Sequence, residues 1–113
     1  MKRLTCLIIF ILFVFIGSAA ANPPKEIKLT YDKSKKVLTV EIKHNTRDLT
    51  EHYIRKISVY KNTEEPNHFS FVSQPAATGL TKEISVDLVP GDVVRVKAVC
   101  SEAGFKEETL IVP

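Results

Sequence analysis

The sequence predicts an all-β domain, an antiparallel sandwich of about seven short strands. Three observations carry that prediction. Short segments alternate apolar and polar residues, as strands with one buried face require. Turn-forming residues separate them, most plainly Pro90-Gly91-Asp92. No ten-residue stretch carries the 3.6-residue periodicity that would give a helix an apolar face to bury. A chain of short strands punctuated by turns closes its core by stacking two sheets.

Taken in order, Ile27-Lys28-Leu29 supplies a short first strand. Val37 to Lys43 alternates cleanly, with Leu38, Val40 and Ile42 on one face, and His44 continues that phase, so its ring points inward where the strand ends. Tyr53 to Tyr60 is rich in Ile, Val and Tyr, the residues that suit a pleated surface. Phe69-Ser70-Phe71-Val72 is a short further run, preceded by His68, which reads as an exposed turn residue. Ser73 to Lys82, with Pro75 and Gly79, is the longest unpatterned stretch and reads as a surface loop. Ile84, Val86 and Leu88 then alternate with Glu83, Ser85 and Asp87. Val94, Val96, Ala98 and Cys100 share a face opposite Arg95 and Lys97, and Thr109 to Val112 forms the last strand. No internal repeat, low-complexity tract or second domain interrupts the pattern.

The first 21 residues have the layout of a secretory signal peptide. Lys2 and Arg3 precede an apolar run from Leu7 to Ile16, and Ala19 and Ala21 match an A-x-A cleavage site. That run is too short to span a bilayer comfortably, so cleavage after Ala21 leaves no membrane span. The expected product is one domain, 22–113, in the periplasm or outside the cell. Loss of Lys2 and Arg3 takes the 16 basic residues to 14 against 13 acidic ones, and the net charge from +3 to +1. That balance, and the lack of any basic stripe with interleaved aromatics, argue against a nucleic-acid partner.

Cysteine usage narrows the chemistry. Cys6 lies in the leader, so the exported domain keeps Cys100 alone and cannot form an internal disulfide. A lone thiol is a buried small hydrophobe, an intermolecular disulfide partner, a reactive nucleophile or a metal ligand. His44 and His52 flank one connecting loop, and Cys100 ends a separate strand. Imidazole nitrogen and thiolate sulfur bind Fe, Cu and Zn well, so two His and one Cys reaching one pole of a sandwich make most of a metal site. The competing explanation is plainer: each of the three is a packing residue at the end of a strand. No nucleophile elbow or glycine-rich phosphate loop occurs.

The same residues carry a family resemblance. Val40-Glu-Ile-Lys-His44, then Thr50-Glu-His52-Tyr-Ile54, then Val96-Lys-Ala98-Val-Cys100-Ser-Glu-Ala103-Gly104 resemble the ferrous-iron domain of superoxide reductases, the desulfoferrodoxin and neelaredoxin family. The likeness covers residues 37–112. It implies an immunoglobulin-like sandwich, a non-haem iron held by four imidazoles and an axial thiolate, superoxide as the small-molecule oxidant, and a separate electron donor. Carried across by position, His44 and His52 match two equatorial ligands and Cys100 the axial sulfur. The chain departs from the pattern elsewhere. Ala103 stands where the family has a ligand His, no His precedes His44, Asn45 replaces a Pro, and the His44–His52 spacing is two residues longer than is common. The implied site is therefore incomplete, and Zn or Cu competes for a set of this kind. A second resemblance, to the metal-free partner subunit of the sulfur-oxidation carrier complex, rests on the His52-Tyr53-Ile54 strand start and the Gly91-Asp92 hairpin. It implies a binding module in which no cofactor is held.

Overall fold

The structure is a computed structural model that describes residues 23–113. The leader, its cleavage site and Cys6 lie outside the described residues. Seven strands run in chain order: β1 Glu26–Asp32, β2 Val37–Lys43, β3 Ile54–Lys61, β4 Asn67–Ser70, β5 Gly79–Ser85, β6 Val93–Cys100 and β7 Phe105–Ile111. They form a three-stranded sheet, β1-β2-β5, and a four-stranded sheet, β4-β3-β6-β7, with every pairing antiparallel. The chain changes sheet between β2 and β3, between β4 and β5, and between β5 and β6. The expected antiparallel sandwich is what forms. No helix among the described residues is long and apolar enough to cross a membrane.

The core is the sum of the inward phases. Leu38, Val40 and Ile42 of β2 face Ile54, Ile57 and Val59 of β3 and Val94, Val96 and Ala98 of β6, all buried. β2 and β6 alternate as read, because each shows one face to the core and one to water. β3 departs from alternation: Ser58 is buried between Ile57 and Val59, and its hydroxyl is satisfied by His68 Nδ1 at 2.7 Å.

Several strand boundaries differ from the sequence expectation, most of all in β5, β7 and β4. β5 starts at Gly79 and ends at Ser85, so it begins inside the stretch read as a loop. Its inward series is Leu80, Lys82, Ile84. The Lys82 ammonium sits 5.2 Å from the centre of the Phe69 ring, so a charged residue occupies an inward phase at the sheet edge and hides the alternation. Val86 and Leu88 lie beyond the ladder; the Tyr31 hydroxyl donates to Val86 O and accepts from Leu88 N–H, anchoring that segment. β7 begins at Phe105, four residues earlier than expected, because this edge strand is largely exposed and carries Lys106, Glu107 and Glu108 without an apolar period. β4 starts at Asn67, so His68 is an exposed strand residue.

Gly79 is fixed by geometry. Its φ is +147°, and a Cβ there would come within 1.8 Å of Ile42 O. Only glycine lets β5 enter the ladder opposite Lys43 while the backbone passes so close to the end of β2.

Candidate metal centre

The topology alone brings three chain segments to one pole. β2 ends at Lys43, and the connection 44–53 delivers the chain to β3 at Ile54. Because β3 and β6 are antiparallel, the start of β3 pairs with the end of β6, and Ile54 lies opposite Cys100. His44 directly after β2, His52 just before β3, and Cys100 at the end of β6 therefore meet above the same end of the core.

His44 keeps the inward phase of β2 and is 1% exposed; Cys100 keeps that of β6 and is 2% exposed. His52 is half-buried. The potential ligand atoms of His44, His52 and Cys100 all lie within 4.8 Å of one another. The two imidazoles meet edge to face, ring centres 4.6 Å apart and planes at 79°. Nε2 of His44 and Nε2 of His52 are both buried with no hydrogen-bond partner among the described residues. A buried polar atom without a partner costs about 1–3 kcal/mol. Two of them together beside a free buried thiol is an arrangement that an ion would satisfy.

His52 is placed by a capped turn. Its N–H donates to Asp48 O, and Asp48 Oδ1 accepts from Thr50 N–H, the Thr50 hydroxyl and Glu51 N–H. The Thr50 amide and hydroxyl, in that order, hold the Asp48 carboxyl below its ordinary range against a weaker desolvation effect. Behind the turn, the Ser101 hydroxyl donates to Glu51 O and accepts from Tyr53 N–H, while Ser101 N–H donates to Tyr53 O. Cys100 N–H donates to Gly104 O, which closes the loop after β6.

Gln74 is the part of the site that the sequence did not reveal. It lies in the unpatterned 73–78 segment yet is 2% exposed, and its Oε1 lies 2.8 Å from His44 Nδ1. A polar residue in a loop carries no periodic signal, so nothing local marks it. Its role comes from bonds to residues 20 and 30 positions away. His68 is not part of the centre; it stays on β4 against Ser58.

On the open side, His52 lines a cleft of about 460 Å³ together with Asn45, Thr46, Arg47, Asp48 and Glu102. For metal–nitrogen bonds of about 2.0–2.1 Å and metal–sulfur bonds of about 2.3 Å, tetrahedral ligand atoms lie about 3.4–3.6 Å apart. The observed spread needs a contraction of roughly 1 Å, within the reach of side-chain rotation. The three donors thus fit one ion with further positions left for solvent or a small molecule. They do not make a four-imidazole set: the sequence has three His in all, and His68 is elsewhere.

No family model matches the sequence, and no curated protein matches it. Solved structures do resemble it. The superoxide reductase (neelaredoxin) from Ignicoccus hospitalis superposes with a TM-score of 0.51 at 16% identity, over 87% of this chain and 86% of that one. Two variants of the same protein superpose alike, with TM-scores of 0.51 and 0.50 at 17% and 19% identity and the same coverage. At such identity the likeness is one of fold, and it spans nearly the whole described domain.

Proposed function

We propose that this chain binds a single transition-metal ion, iron first among candidates, through His44 Nε2, His52 Nε2 and Cys100 Sγ, and that it is an exported redox protein of the superoxide-reductase type. The observation that carries the reading is the pair of buried, unpartnered imidazole nitrogens beside a buried free cysteine. The fold shared with superoxide reductase chains supports iron and a small oxidant as the first chemistry to test.

Each residue has a defined part. Cys100 gives up its proton on binding and offers a thiolate from the end of β6, where burial keeps other thiols and water away. The His44 ring is held by Gln74 at the end of β2, and the His52 backbone by the Asp48 turn, so both residues are placed before an ion arrives. The cleft beside His52 gives a small anion a route to the open positions. Bound iron would supply a one-electron couple, which would let superoxide take up one electron and two protons to give hydrogen peroxide, with a separate donor returning the electron. Export follows from the leader 1–21, with a mature chain starting at Asn22.

The test is loading of segment 22–113, which contains every strand and every core residue described, with Fe(II) under anaerobic conditions. Near-stoichiometric iron, a thiolate-to-iron charge-transfer band on oxidation, and loss of both in Cys100→Ser are expected. A folded protein that retains no metal would overturn the reading and leave the sandwich as a metal-free binding module.

A further inference from the structure

We propose that Gln74 is a positioning residue that sets the tautomer of His44, locking the proton on Nδ1 and leaving Nε2 as a bare lone pair turned toward the cluster. The use of that lone pair rests on the metal reading above; the tautomer itself is a property of the metal-free protein.

The assignment follows from the partners of one amide. Gln74 Nε2 donates to His44 O at 2.8 Å and to Ala76 O at 2.7 Å. Both partners are carbonyl oxygens and can only accept. Turning the amide over would set Oε1 against two carbonyl oxygens and the NH2 group against Ile54 N–H, losing every one of these bonds. The orientation is therefore fixed, and Oε1 accepts from Ile54 N–H at 3.2 Å. The same oxygen lies 2.8 Å from His44 Nδ1. An oxygen that is an acceptor at that distance requires a donor, so Nδ1 carries the hydrogen. In a neutral imidazole the other nitrogen is then unprotonated. That nitrogen is one of the two buried atoms with no partner in the described structure.

Gln74 also controls direction. It grips His44 at two points, the ring through Nδ1 and the backbone through O, which fixes the ring plane relative to the end of β2. Its own backbone N–H donates to Leu49 O, and His44 N–H donates to Thr78 O, so the 44–53 and 73–78 loops are tied together through this pair. All four hydrogen-bonding positions of the side chain are used, which explains a fully buried glutamine in a loop without a local sequence signal. A histidine whose second nitrogen is already committed to an outer oxygen is the common form of a metal-ligating imidazole, and removing such an outer partner typically weakens metal binding about 10–100-fold.

The experiment is 15N NMR of the imidazoles in the metal-free segment 22–113, followed by Zn(II) affinity measured by competition with a chromophoric chelator. The wild type is expected to show a protonated Nδ1 and a bare Nε2 at His44. Gln74→Leu should give a tautomer mixture and Zn(II) binding weaker by about 10–100-fold. A His44 protonated on Nε2 in the wild type overturns the proposal whatever the variants do. An unchanged tautomer in Gln74→Leu overturns it as well. Should that variant fail to fold, the wild-type spectrum decides, because the proposal requires Nδ1 to be the protonated nitrogen there. A wild type with the expected tautomer but no Zn(II) binding would sustain the lock and overturn the metal reading, so the two failures are distinguishable.

Discussion

Metal addition should stabilise the fold by an amount that the geometry sets. The three donors already lie within 4.8 Å of one another, two of them on residues buried at strand ends, so binding needs about 1 Å of side-chain contraction and no loop ordering. Little binding energy is then lost to reorganisation, and the folded state alone presents the site. At a free Zn(II) concentration 100 times its dissociation constant, linkage gives about 2.7 kcal/mol. For a domain of this size each kcal/mol raises Tm by roughly 4–8 °C, so a shift of about 11–22 °C is expected. His44→Leu removes one donor and should abolish the shift. It should leave the metal-free stability within about 1–2 kcal/mol, because Gln74 Oε1 keeps Ile54 N–H as a partner while an unpaired buried nitrogen is lost. Differential scanning calorimetry of both proteins, with chelator and then with Zn(II), measures this directly. A wild-type Tm that ignores Zn(II) and Fe(II), or a His44→Leu protein that responds as the wild type does, would show the three-donor geometry to be idle.

Gly79→Ala should be among the most damaging single changes, since its Cβ would meet Ile42 O at 1.8 Å with φ at +147°; loss of the cooperative melt is expected, and a Tm within a few degrees of wild type would contradict the close approach. Ile57→Ala, at a wholly buried position of β3, should cost about 2–5 kcal/mol in urea unfolding with an unchanged m-value. Acid should weaken the metal-free fold. The Ser34 hydroxyl and Lys35 amide hold the Asp32 carboxyl below its ordinary value, and the Val89 amide and Asn62 side chain do the same for Asp92. A depressed folded-state pKa gives stability that is present above the unfolded aspartate value and is lost as pH falls through the folded one, so Tm should be level above about pH 5 and decline below about pH 4. A Tm that rises on acidification would show the sign to be wrong.

The strands that were legible in the sequence are those with a single buried face. β2 runs over the residues expected, and β6 ends at Cys100 as expected, because core packing imposes a period of two on both. The inward phase of His44 and of Cys100 could be read from the same alternation, and both are buried at strand ends as expected. The strands that were misplaced are at sheet edges. β5 hides its period behind Lys82, and β7 is exposed along most of its length, so burial selects no pattern there.

The all-β class, the donor types and the phase of two of the three donors were all written into the chain. Those properties are local, fixed by side-chain chemistry and by the pleat. That the donors meet is a property of the folded molecule, because it depends on the antiparallel register placing Ile54 opposite Cys100 and on the β2–β3 connection crossing between sheets at the same pole. The role of Gln74 likewise exists only after folding. A glutamine becomes an orienting group only when its amide faces His44 O and Ala76 O on one side and Ile54 N–H and His44 Nδ1 on the other, and such long-range pairings of hydrogen-bonding groups leave no trace in the periodicity of a chain.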